Sequence, residues 1–195
     1  MKVVAFNGSA RKQGNTAILI KNVFSELEKE GIETELVELA GRIIPGCTAC
    51  YKCFDNRDRH CAVKNDIVNE CIDKMLEADG IILASPTYFA DISSAMKALI
   101  ERAGMTAMAN EYMFKRKVGA AVVAVRRGGA IHVFDSINHF FSISQMIRPG
   151  SSYWNMGIGR EIGEVEKDDE GIRTMHVLGE NMAWLLKKIG TGVND

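Results

Sequence analysis

No apolar run in this 195-residue sequence approaches a membrane span. The longest, such as Ile81-Ile82-Leu83-Ala84, fall far short of the ~20 residues a spanning helix needs. Basic excess is missing too. Lys and Arg number 24 against 25 Asp and Glu, a net charge of −1, which argues against nucleic acid as the main partner. The N-terminal run Val3-Val4-Ala5-Phe6 ends at Asn7-Gly8-Ser9, too short for a signal core, so it reads as a first strand and the expected location is cytoplasmic. An odd count of five cysteines in such a chain speaks against a disulfide framework. There is no internal repeat and no low-complexity tract. Polar, linker-like sequence occurs only from Gly157 to Glu170, too short to separate domains. With 47% hydrophobic and 25% charged residues, disorder and collagen-like structure are excluded as well. What remains is a single globular domain over residues 1–195, with a cysteine-rich loop at 46–62.

Within that frame, short β-rich runs alternate with helical patterns. The predicted strands are Val3–Phe6, Thr34–Leu39, Asp79–Ser85, Val118–Val125 and Tyr153–Met156. Predicted helices run over Thr16–Glu30, Asp66–Ala78, Ile92–Ala103, Ala130–Met146 and Gly171–Ile189. Strand 3 is apolar throughout, as a buried parallel strand requires. Five βα units in series predict an α/β fold, a doubly wound five-stranded parallel sheet. The length favours the flavodoxin-like order 2-1-3-4-5 over a six-stranded dinucleotide fold.

In such sheets ligands bind at the carboxyl ends of strands, so the turns there carry the chemistry. The first reads Asn7-Gly8-Ser9-Ala10-Arg11-Lys12-Gln13-Gly14-Asn15-Thr16. It leaves a strand and opens a helix, where free N–H groups and the helix dipole attract an anion. Ser9, Asn15 and Thr16 add donors and Arg11 adds charge. Neither G-x-x-x-x-G-K-[ST] nor G-x-G-x-x-G is present. A polar turn with Asn15 as helix cap is the plainer alternative. The second turn, Ser85-Pro86-Thr87-Tyr88-Phe89, brings aromatic surface and Thr87 to the same edge, suited to the rim of a flat heterocycle or to core packing. The third, Arg126-Arg127-Gly128-Gly129, permits close backbone approach and offers positive charge to a reduced ring; in isolation it is also an ordinary surface turn.

Asn7-Gly8-Ser9-x-Arg11-x-x-Gly14-Asn15-Thr16, Ser85-Pro86-Thr87-Tyr88-Phe89 and the later Leu99-Ile100-Glu101-Arg102 together resemble the NADPH-dependent FMN reductase family of flavodoxin-like proteins. The resemblance covers nearly the whole chain. It implies that Ser9, Arg11, Gly14, Asn15 and Thr16 hold the FMN phosphate. Pro86, Thr87, Tyr88 and Phe89 would border the isoalloxazine, and Arg126, Gly128 and Gly129 would also meet the ring.

The spacing Cys47-x2-Cys50-x2-Cys53-x7-Cys61 is compact enough for four thiolates to reach one [4Fe–4S] cluster. Structural zinc normally uses two separated pairs. Free or disulfide-forming thiols are the alternative. The pattern resembles the iron–sulfur flavoprotein branch of the family. The sequence departs in having Lys64-Asn65-Asp66 where the family tends to carry Lys-Asp-Asp, although Asp66 still caps the next helix. Cys71 sits in an apolar helical pattern and reads as core, His60 as a loop histidine beside Cys61, and Met105, Met108 and Met113 as core or subunit contact.

The resulting expectation is an FMN-dependent oxidoreductase moving electrons from NAD(P)H to a small acceptor such as a quinone or a flavin, with no catalytic side chain required. The rival is an iron–sulfur flavoprotein served by ferredoxin through a cluster and FMN. A non-enzymatic redox or metal sensor is a third class, opposed by the three ligand-directed turns. A homodimer or homotetramer is expected, since a flavin on an open sheet edge needs covering.

Overall fold

Alternating apolar residues in the first strand face two different helical layers, and this organises the molecule. The structure is a computed structural model describing residues 1–190. Strand β1 (Lys2–Asn7) sends Val3 and Ala5 into a core shared with α1 (Asn15–Lys29) and α6 (Asp169–Gly190). Its Val4 and Phe6 enter the opposite core, built with α3 (Val68–Glu77), α4 (Ser94–Ala109) and α5 (Ala130–Ile143). With β2 (Glu33–Glu38), β3 (Gly80–Pro86), β4 (Val118–Val125) and β5 (Met156–Ile158), the sheet is parallel throughout in the order β2-β1-β3-β4-β5. The expected flavodoxin-like architecture is therefore present. Every residue of β4 is buried, which suits its run of Val, Ala and Gly. Among the described residues no helix is long and apolar enough to cross a membrane.

Several boundaries differ from expectation, among them the end of α5, which falls at Ile143 and not at Met146. The fifth strand is Met156–Ile158, not Tyr153–Met156. Tyr153 and Trp154 lie half-exposed, edge to face at 4.6 Å, so their β propensity serves surface packing. Asn155 then turns inward and donates to Ala121 O at 3.0 Å, covering the sheet edge before β5 begins. Helix α4 begins at Ser94 and continues to Ala109 instead of ending at Ala103. It opens on Ser93, whose hydroxyl accepts from Met96 N at 3.3 Å. The segment expected as a linker holds the rest of β5 and a 3-10 turn (Glu164–Lys167) whose Val165 is wholly buried. A five-residue helix α2 (Lys52–Asn56) also forms inside the cysteine-rich loop.

The first turn lies close to the second. Gly8 N donates to Ala84 O of β3 at 2.8 Å, and a Cβ at Gly8 would stand 2.8 Å from Ser93 Oγ and 2.9 Å from Met96 Cβ. Gly157 is confined in the same way. A Cβ there would sit 2.6 Å from Val165 Cγ2 and 2.7 Å from Leu19 Cδ2. Gly157→Ala should therefore cost about 1–3 kcal/mol through overpacking, seen as a lower denaturation midpoint with an unchanged m-value.

Candidate functional site

Two clefts hold the residues singled out by the sequence. The first, about 210 Å³, opens at the carboxyl ends of β1 and β3. Ser9 is buried; its amide donates to Asn7 Oδ1 at 3.0 Å and its hydroxyl accepts from Arg11 N at 3.1 Å. Gly14 is the N-cap of α1 and brings no side chain to accept from the first amides. Those amides and the positive end of the helix dipole face the cleft where an anion would sit.

Asn15 has a different task from simple donation. Its Nδ2 donates to Glu161 O and its Oδ1 accepts from Gly163 N, both at 2.9 Å. Arg11 adds a bond from its guanidinium to Arg160 O at 3.3 Å. The segment 159–163 is thereby clamped over the first turn as a second wall. Gly159 fits only because it lacks a Cβ, which would fall 2.6 Å from Val165 N and 2.8 Å from Asn15 Nδ2.

The far wall is Pro86, Thr87 and Tyr88, anchored by Thr87 N donating to Ala124 O at 2.8 Å. Phe89 and Ala90 follow in the left-handed region, at φ +48° and +62°, and Phe89 projects fully into solvent. Gly129, at φ +93°, packs so tightly on this turn that a Cβ would approach Ala90 Cα to 2.9 Å.

Of the residues expected around the flavin, the structure brings Ser9, Arg11, Gly14, Asn15, Thr16, Pro86, Thr87, Tyr88 and Arg126 to the cleft. Phe89, Gly128 and Gly129 lie outside its lining. Ala124, Val125, Gly159 and Arg160 line it without having been singled out.

The second cleft is a small recess of about 20 Å³ walled by Cys47, Cys50, Cys53 and Cys61 on the loop and by Arg102, Met105 and Thr106 of α4. Ala49, Tyr51, Arg57 and Arg59 wind the loop through left-handed backbone at φ +49° to +65°. Such strain persists only when the surroundings over-determine it. The surroundings do so here. Cys61 is held at both backbone atoms by Asn69, which accepts from its amide at 2.8 Å and donates to its carbonyl at 3.0 Å. Cys47 N donates to Glu101 Oε2 at 3.3 Å, and Cys53 Sγ lies 3.9 Å from Met105 O.

Arg102, 1% exposed, is the buckle of the loop. Its guanidinium donates to Pro45 O at 3.3 Å before the cysteines and to Val63 O at 2.9 Å after them. It pairs with buried Asp66 at 2.5 Å and reaches Cys61 Sγ from Nε at 3.3 Å. The N-cap of α3 is Ile67, not the expected Asp66, which stands one residue earlier and accepts from Val68 N at 2.9 Å.

The thiols differ in character. Hydrogen bonds from the Lys52 amide and the Thr48 hydroxyl hold Cys50 below the ordinary thiol range, while burial pushes Cys53 up. Cys71 is pushed up to about 12 by burial in the core, where the sequence placed it. His60 turns away to Asp73 at 2.8 Å. Among the described residues no three Cys, His, Asp or Glu side chains converge as closely as a single metal ion demands.

Buried side-chain polar atoms almost always find partners. Among the described residues two lack one: Thr87 Oγ1 and Thr106 Oγ1. Thr87 lines the first cleft and Thr106 the second. The donor sets fit the groups the sequence implied. Helix-terminal amides beside arginine suit a phosphate, and four thiols on one recess suit a polynuclear cluster.

The family model for NADPH-dependent FMN reductases matches residues 1–161. The chain belongs to that family. It is a flavoprotein of the FMN reductase type on a flavodoxin-like sheet. An iron–sulfur flavoprotein of Methanocaldococcus jannaschii is 36% identical over 97% of this chain and 99% of its own length. RosB, solved with a bound formylriboflavin phosphate intermediate, shares 21% identity and a TM-score of 0.76 over 98% of this chain and 81% of its own. A WrbA-like flavodoxin from Agrobacterium tumefaciens matches with 15% identity and a TM-score of 0.65, covering 96% and 97% of the two chains.

The clamp on the second wall is directly testable. Asn15→Ala leaves the Gly163 amide without its acceptor, so its hydrogen exchange should accelerate, with a stability loss of about 1–3 kcal/mol. An unchanged Gly163 exchange rate would show that the wall stands without Asn15.

Proposed function

We propose that this member of the FMN reductase family is an iron–sulfur flavoprotein: an FMN-dependent oxidoreductase in which Cys47, Cys50, Cys53 and Cys61 hold a [4Fe–4S] cluster as a second redox centre. The observation that carries the reading is the pair of partnerless buried hydroxyls, one in each cleft. The name of the Methanocaldococcus jannaschii relative supports it. When bound, FMN supplies one- and two-electron chemistry and the cluster one-electron chemistry.

In this reading the protein's own groups bind, orient and shield. The amides of the first turn and of the α1 N-terminus hold the phosphate, with Arg11 adding charge. Thr87 and the turn amides address the polar rim of the ring, and Tyr88 covers its edge. Arg126 places positive charge where negative charge develops on reduction. No side-chain acid or base is required at the ring. The buckle formed by Arg102 keeps the four thiols on one recess.

Electrons enter in this scheme from a ferredoxin-type carrier and leave to a small acceptor such as a quinone or a flavin. Direct reduction by NAD(P)H is the second reading, supported by the family's description and by the open cleft flanked by exposed Tyr88 and Phe89. The fully exposed Phe89 beside the cleft also fits a homodimer or homotetramer that covers the flavin, in a cytoplasmic setting.

Anaerobic purification with FMN, iron and acid-labile sulfide assays tests the reading. Each single Cys→Ala change at 47, 50, 53 or 61 should lower iron and leave FMN in place, whereas Cys71→Ala should lower neither. Full flavin with near-zero iron and sulfide in the unaltered chain, after reconstitution, would leave a plain flavin reductase. Rapid anaerobic mixing with NADPH separates the two donors: fast flavin bleaching supports the nicotinamide, and its absence supports the carrier.

A further inference from the structure

We propose that helix α4 sets the reduction potential of the centre in the cysteine recess through two hydrogen-bond donors that line it, the Nε–H of Arg102, directed at Cys61 Sγ, and the partnerless hydroxyl of Thr106. The proposal rests on the recess holding an iron–sulfur cluster and adds what the helix contributes to it.

Arg102 and Thr106 are four residues apart on α4, so they share one face, and both line the recess at 1% exposure. Four bonds hold the guanidinium. Three of them, to Pro45 O, Val63 O and Asp66, tie down its two terminal nitrogens and fix the plane of the fork. The remaining donor, Nε–H, is thereby aimed at Cys61 Sγ, 3.3 Å away. Asp66 balances the cation, so the sulfur meets a directed N–H dipole and no uncompensated charge.

Thr106 is the independent observation. A helical threonine commonly returns its hydroxyl to the carbonyl four residues back. Here that oxygen is buried and has no partner at all. A valine would fill the same space without stranding a polar atom. A hydroxyl in a recess walled by four thiols has sulfur as its available acceptor.

The consequence follows from charge. One-electron reduction adds a negative charge to the cluster, taken from an external reductant. Donors on the sulfurs stabilise the more negative form and raise the potential. Arg102 and Thr106 do this by positioning hydrogen bonds and take no part in the chemistry of the substrate.

The test is a reductive titration of anaerobically reconstituted full-length protein, following cluster and flavin separately by electron paramagnetic resonance and absorbance. Thr106→Val should lower the cluster midpoint by about 59 mV, a tenfold change in the one-electron equilibrium, with the FMN midpoint unmoved. Thr106→Ser keeps the hydroxyl and should stay at the unaltered value. Arg102→Lys should shift the cluster in the same direction as Thr106→Val. If that chain does not fold, the Thr106 pair decides. A Thr106→Val protein with full iron and sulfide and an unshifted cluster midpoint would overturn the proposal alone. An unaltered chain that takes up no iron or sulfide would overturn the cluster reading and this proposal with it.

Discussion

Because β1 hands its chain to β2 on one side while β3 hands its own to β4 on the other, the carboxyl ends of these neighbouring strands diverge around a crevice. Parallel strands joined by right-handed crossovers make such a switch point unavoidable, and ligands of open α/β sheets gather there. The rest of the first cleft is what this sequence adds to it. Gly8 lets the first turn press against the start of α4, and Gly14 leaves the α1 amides uncapped. Asn15 then draws residues 159–163 across as a wall. The sheet therefore dictates where a ligand binds, while the turns line that place with uncapped amides, Arg11 and the Tyr88 ring.

The second cleft owes nothing to the switch point. A long loop with little regular structure joins β2 to α3, and loops of that kind inside a compact domain are usually functional. Burying Arg102 and Asp66 beneath it costs desolvation that their mutual attraction alone often does not offset. The backbone bonds change that balance, since one guanidinium satisfies carbonyls on both sides of the cysteines. What the pair provides is specificity. A loop wound through four left-handed non-glycine residues has many alternatives, and removing the buckle would strand a buried carboxylate and two carbonyls together.

Much of this was legible in the sequence, and the failures share a cause. Strands 1 to 4 followed from apolar periodicity and the βα alternation, which are local signals, and the strand order from the length of the chain. The first and second turns were recognisable because their donors sit within a few residues of one another. The wall at 159–163 was not. Its partner Asn15 lies 148 residues away, and nothing local distinguishes a wall from a polar linker. The expected helix over Ile92–Ala103 stops just short of Gly104, although α4 runs on to Ala109. In the fold Gly104 is a packing position, where an added Cβ would rest 3.6 Å from the Phe140 ring. That single misplaced boundary removed the turn carrying Met105 and Thr106, and with it one wall of the cysteine recess. Arg102 was visible within a family-like stretch, but its role depends on carbonyls at Pro45 and Val63 that no spacing rule connects to it.

The two partnerless hydroxyls bear on stability as well as on function. Each buried, unmade hydrogen bond costs about 1–3 kcal/mol, and a domain's whole margin is only about 5–15 kcal/mol. A fold that carries both Thr87 and Thr106 in that condition gives up a noticeable share of its margin unless something meets them. Cofactors that bind the native state alone stabilise it in proportion to the logarithm of their concentration over Kd. A group bound at each cleft would therefore link folding to its loading through these hydroxyls. Valine at either position would relieve the cost without any ligand, and the polar residue is favoured only if a ligand atom completes the bond. The fold places these two side chains on different elements, Thr87 just past β3 and Thr106 on α4, so no shared packing constraint accounts for both. Their common feature is that each lines a cleft where the sequence had already called for a redox group.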